Sequence, residues 1–150
     1  MKAWSRGFFF LMAMIAASAA VRGADAVTAL LDPYFRIQTA LVEDRTDTIK
    51  ADAALVAKEA AALGDAGKPI EQAATLLTRA RDLAQSREAF GTLSDAVITY
   101  ADQTKAKPGA DVTAMYCPMV KKSWLQKGEQ VRNPYFGKSM PGCGEKKKLG

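Results

Sequence analysis

The chain has 150 residues, enough for one small domain, with 49% hydrophobic and 25% charged residues, a formal net charge of +5 and no histidine. The missing histidine excludes a Cys–His nucleophilic pair and every histidine-ligated metal centre. The charge is uneven: residues 24–112 hold 10 basic and 14 acidic residues, net −4, and residues 113–150 hold 8 basic and 2 acidic, net +6.

Lys2 and Arg6 precede the apolar run Phe8–Ala17, and Ser18-Ala19-Ala20 follows it. A positive start, a short apolar stretch and small residues form the layout of a secretory signal peptide. We expect residues 1–23 to be removed, with cleavage after Gly23 favoured over Ala19; the competing reading is an uncleaved anchor. The apolar stretch is short for a membrane span, and no transmembrane span is expected after cleavage. No cysteine lies near the cleavage region to take a lipid. The expected location is periplasmic or secreted, where disulfides persist. Cytosolic nucleic acid drops out as a partner.

Residues 24–109 read as helices. Asp32-Pro33 has the form of a helix start, with Asp as N-cap and Pro in the first turn, after a helical turn over 25–31. Leu30, Tyr34, Ile37 and Leu41 share a face at helical spacing. Asp47 is expected to cap a second helix with Ile49, Ala53, Val56, Ala60 and Leu63 inward, and Gly64 to end it with φ above zero. A third helix starts near Pro69, with Ile70, Ala73, Leu77, Ala80 and Ala84 inward. It either runs on or breaks at Ser86 before a segment carrying Phe90, Leu93, Val97 and Tyr100. Lys107-Pro108-Gly109 closes the region. The expected fold class is all-α: a three- to four-helix up-down antiparallel bundle with a C-terminal irregular or short-strand module.

That module covers residues 110–145, ahead of a basic tail at 146–150 expected to fray. Cys117-Pro118, Asn133-Pro134 and Gly128, Gly137, Gly142 and Gly144 break helical pattern. Trp124, Tyr135 and Phe136 are its structural aromatics, expected to pin it to the bundle.

Both cysteines lie here, each near a methionine: Cys117 with Met119, Met140 with Cys143. Thiolate and thioether ligands suit Cu(I) and Ag(I). In extended backbone Cys117 and Met119 point to one side, and the turn Pro141-Gly142 brings Met140 and Cys143 together. Lys121, Lys122 and Lys138 are expected to lower the thiol pKa values. Zinc suits the set poorly, since it prefers four Cys or His ligands. From spacing and compartment alone a Cys117–Cys143 disulfide, with the methionines as core filler, ranks ahead of the metal site, and two free thiols are the third state. An enzyme is not expected, for there is no Cys-x-x-Cys motif, no phosphate loop and no nucleophile elbow. Binding of an anion or a membrane surface by the +6 module is a further reading.

The motifs "YCPM" (116–119), Trp124, "VRNPYFGKSM" (131–140) and "CGE" (143–145), with "DPYFRIQTALVEDR" and "REAFGTLSDAVITY" in the helical half, resemble a bacterial exported family, domain-of-unknown-function family 3347. The resemblance spans about residues 28–148. It departs in the short Val120–Ser123 segment and in the lack of a separate His/Met-rich stretch. It implies an exported helical domain, and association with periplasmic adaptors of copper/silver efflux. By motif match it points to Cys117, Met119, Met140 and Cys143 as metal ligands, with Met115 a weaker fifth. The leading expectation is a non-enzymatic periplasmic domain that binds Cu(I) or Ag(I) and serves metal efflux or resistance. Its partner would be an efflux adaptor or another envelope protein. The runner-up is a disulfide-stabilised interaction module that takes no metal.

Overall fold

The computed structural model describes residues 27–149. The expected leader, residues 1–23, lies outside the described residues. Helix α1 is helical over residues 27–42. Its expected face is buried: Leu30, Tyr34, Ile37 and Leu41 are at most 1% exposed. Asp32-Pro33 does not start it, because both residues sit inside α1. Proline removes one helical hydrogen bond, but Val27, Leu30 and Leu31 upstream are buried, and that packing carries the helix through. Asp32 faces Lys127 at 3.8 Å rather than capping.

Helix α2 (Ile49–Ala61) buries Ile49, Ala53, Val56 and Ala60. Its N-cap is Thr48 with no side-chain bond; Asp47, expected to cap, instead pairs with Arg45 at 3.3 Å. Gly64 adopts φ +67° after α2, as its position requires. A short 3-10 turn, Gly64–Gly67, leads into α3 (Lys68–Thr78), with Pro69 in its first turn.

The break before α4 (Leu83–Thr104) falls at residues 79–82, not at Ser86. Asp82 Oδ1 accepts the Gln85 N–H at 2.8 Å, and Gln85 Oε1 accepts the Arg81 N–H at 3.2 Å. The first bond satisfies an N–H that a helix start leaves open, and the second ties the entering chain back to the first turn. Ser86 lies one turn in and donates to Asp82 O at 2.8 Å. The new helix has its own phase, so Ala84, expected inward, is exposed. Phe90, Leu93 and Val97 are buried and Tyr100 partly so. Lys105, in left-handed conformation, ends α4.

The C-terminal part is more regular than its punctuation suggested. Strands β1 (Val112–Cys117), β2 (Lys122–Lys127) and β3 (Glu145–Lys147) form an antiparallel sheet in the order β2-β1-β3. Two-sided burial concealed β2, where Ser123, Trp124, Leu125 and Gln126 are all buried. Without a solvent face there is no period-2 alternation to read. The lysine run expected to fray supplies β3: Lys146 and Lys147 pair with Met115 and Ala114.

Sheet and helices share one core. The Tyr34 hydroxyl meets Ser94 Oγ at 2.7 Å and accepts the Leu125 N–H at 3.0 Å. Phe90 links the Tyr34 and Tyr135 rings, and Tyr135 meets Trp124 edge-on at 5.8 Å. Arg87 donates to Pro134 O at 2.9 Å and to Leu41 O at 3.2 Å, and pairs with Asp44. One guanidinium thereby joins the end of α1, α4 and the 133–137 turn.

Candidate functional site

β1 ends at Cys117, and residues 118–121 form the turn into β2, with Lys121 at φ +54°. The backbone does not stay extended to Met119, so the same-side argument for that pair fails. Cys143 precedes β3 in a loop held by Asn133. The Asn133 Nδ2 donates to Cys143 O at 2.6 Å, while its Oδ1 accepts the N–H groups of Tyr135 (2.7 Å) and Phe136 (3.3 Å). The Asn133 N–H donates to Pro141 O at 2.8 Å, and the Cys143 N–H to Met140 O at 3.2 Å. These bonds stitch the 133–137 turn to the 140–143 turn.

The result brings two sulfurs into contact. Cys117 Sγ and Cys143 Sγ stand 3.6 Å apart, and both are free thiols. A disulfide bond is about 2.05 Å long, so the bridge considered from sequence is not formed in this structure. Cys117 is 0% exposed and Cys143 partly exposed. Of the thioethers, Met119 is 62% and Met140 37% exposed, each within three residues of a cysteine. Met115, the fifth candidate, is fully buried opposite Trp124. Trp124 and Tyr135 are buried as structural aromatics, and Phe136 is partly buried.

The two thiols differ as acids. For Cys117 burial is the largest influence and opposes the thiolate. The Val120 N–H, the Asn133 amide, the Cys143 thiol and the Met119 N–H together outweigh it and lower the pKa. Cys143 moves the other way: its thiol donates to Cys117, and burial and the Cys117 charge add to the rise. Of the two, Cys117 is the more acidic thiol and Cys143 the less. Lys121, Lys122 and Lys138 do not cause the shift, contrary to the expectation from sequence. Lys122 Nζ is turned to Glu88 at 2.5 Å. Amide N–H groups at a turn do what charge was expected to do. The signal lay in Asn133-Pro134, read there only as a turn.

Among the described residues no group of three or more His, Cys, Asp or Glu stands together. The donors brought together are two thiols, with Met119 and Met140 near them in the sequence, and thiolates and thioethers are ligand types that suit a soft monovalent ion. A groove of about 730 Å³ lies elsewhere, lined by residues of α1, of α2, of the connection between them and by Lys127. Its Arg36, Arg45 and Lys127 each face a carboxylate: Asp52, Asp47 and Asp32.

These features define a four-helix domain with a small antiparallel sheet that ends in a dithiol. A family model described as "Protein of unknown function (DUF3347)" matches residues 30–109, and the chain belongs to that family. The match covers the helices and stops before the sheet, so the Cys and Met motif lies outside it. No curated protein and no solved structure matches the chain.

Proposed function

We propose that this chain is an exported, non-enzymatic domain that holds a soft monovalent ion, Cu(I) or Ag(I), between Cys117 and Cys143, as an accessory of metal efflux or resistance. The observation that carries the reading is the 3.6 Å approach of two thiols, with exposed methionines two and three residues from them in the sequence. Met119 and Met140 complete the ligand set by side-chain rotation. The Phe8–Ala17 run supports export. The four helices are read as an up-down bundle, supported by the packing of α2 on α3 and α3 on α4 across short connections.

The test is Cu(I) binding by the mature chain, in anaerobic competition with a chromogenic chelator. Reduced protein is expected to take one equivalent, and Cys117→Ser to abolish tight binding. Met140→Leu is expected to weaken it. No competition by the reduced wild type overturns the reading.

The same sulfur contact favours a second reading, a disulfide-stapled module that docks on an envelope protein without metal. Closing a loop of this length contributes about 3–4 kcal/mol in the chain-entropy model. A large fall in Tm on reduction, with no Cu(I) bound, would select it.

A further inference from the structure

Cys117 and Cys143 occupy unequal positions. Cys117 ends β1 with no exposed surface, Cys143 is partly exposed in the loop ahead of β3, and their sulfurs touch at 3.6 Å. A reagent arriving from solvent meets Cys143 first, with Cys117 in contact on its protein side. This is the arrangement of an attacking thiol backed by a resolving thiol.

We propose that the pair is an exchange-active dithiol that reduces an organic disulfide through Cys143 and closes to a Cys117–Cys143 bridge. Cys143, the sulfur open to solvent, gives its proton to water and attacks one sulfur of the disulfide as thiolate; access rather than acidity selects it, since Cys117 is the more acidic of the two. The partner's S–S bond breaks, a mixed disulfide forms on Cys143, and one thiolate leaves and takes up the proton that Cys143 gave up. Cys117, as thiolate, then attacks Cys143 Sγ. The mixed bond breaks, the bridge forms, and the second thiolate leaves and takes up the proton from Cys117. Two cysteine thiols thus lose two electrons and two protons, and one disulfide becomes two thiols.

Closure brings the sulfurs from 3.6 Å to about 2.05 Å. The bonds that hold Cys143, from Asn133 Nδ2 to its carbonyl and from its N–H to Met140 O, engage only its backbone. Its side chain is left to turn. Bridge and ion compete for the same sulfur lone pairs, so closure would release a bound metal. The exchange itself stands whether or not the pair takes one.

The experiment mixes reduced, metal-free mature chain with glutathione disulfide, quenches with acid at intervals, and locates the adducts by peptide mass mapping. A parallel arm uses a disulfide-bonded protein as oxidant. The wild type is expected to end bridged, two hydrogens lighter, with early fractions carrying the glutathionyl group on Cys143. Cys117→Ser is expected to stop at that adduct. Cys143→Ser is expected to react at least about 10-fold more slowly, because its remaining thiol is buried. Closure by either oxidant supports the proposal, and the faster one identifies the partner as a small molecule or a protein. Closure by neither overturns it, as does first labelling on Cys117. The wild-type mapping decides this even where a variant fails to fold. Because metal is absent, a negative result here leaves the Cu(I) reading to its own test.

Discussion

Leu125 donates its backbone N–H to the hydroxyl of Tyr34, 91 residues earlier, at 3.0 Å. The same hydroxyl meets Ser94 Oγ at 2.7 Å. One buried phenol therefore ties β2 to α1 and α4. Burial raises its pKa far above the ordinary range, against the pull of Ser94 and Leu125. Tyr34→Phe leaves the Leu125 N–H and the Ser94 hydroxyl without this partner. We expect a loss of about 1–3 kcal/mol, read by urea unfolding. Ser94→Ala should cost less, about 1 kcal/mol, because the Leu125 bond survives.

Two glycines separate backbone strain from crowding. Gly137 (φ +53°) has no room for a Cβ, which would collide with the Asp44 carboxylate and the Arg87 guanidinium. Gly128 (φ +77°) faces open space. Gly128→Ala should cost about 1–2 kcal/mol, the left-handed penalty alone. Gly137→Ala should cost more than that and also displace Arg87 from Pro134 O. Paired thermal melts check the order, and equal losses would mean that the Arg87 contact contributes little.

Asn133 is the residue on which the dithiol geometry rests. Asn133→Leu removes a donor to Cys143 O and the acceptor for two N–H groups. A loss of about 2–4 kcal/mol is expected from these unpaired buried groups. The Cys117 thiolate should also lose a donor. Thiol absorbance titrated against pH should show its pKa rising in the variant, a change that destabilisation of a remote site would not produce.

The unequal thiols set a pH dependence in the reduced protein. The folded pKa of Cys117 lies below the ordinary thiol value of 9.0, so its contribution grows as pH rises towards 9.0 and is lost as pH falls through the folded value. The folded pKa of Cys143 lies above 9.0, so its contribution is present below 9.0 and is lost as pH rises through its folded value. Stability in reductant should rise towards pH 9.0 and fall beyond it. Cys117→Ser should flatten both limbs, since Cys117 is also the main cause of the Cys143 shift. Urea midpoints across this range, wild type against variant, make the check.

Helical periodicity alone determined most of the body of this protein. The stripes on α1, α2 and α3 are buried because a helix face repeats its side chains every three to four residues, a local property. Gly64 and Pro69 were legible for the same reason, since φ > 0 and a missing N–H are properties of single residues. Where the chain instead chose between two local options, packing decided. Pro33 sits inside a helix because apolar neighbours upstream are buried with it. The break between the third and fourth helices falls at residues 79–82 rather than at Ser86 because Asp82 accepts the Gln85 N–H that the start of the new helix leaves open. The sheet was decided at still longer range. β3 comes from a lysine run with no strand signal of its own, and it forms only because β1 offers a free edge. The sulfur pair shows both levels: residue type singled out Cys117 and Cys143, but their contact depends on a bond between Asn133 and the Cys143 carbonyl. Side-chain hydrogen bonds across ten residues leave no periodic trace in a sequence, and so only the tertiary structure brings the two thiols together.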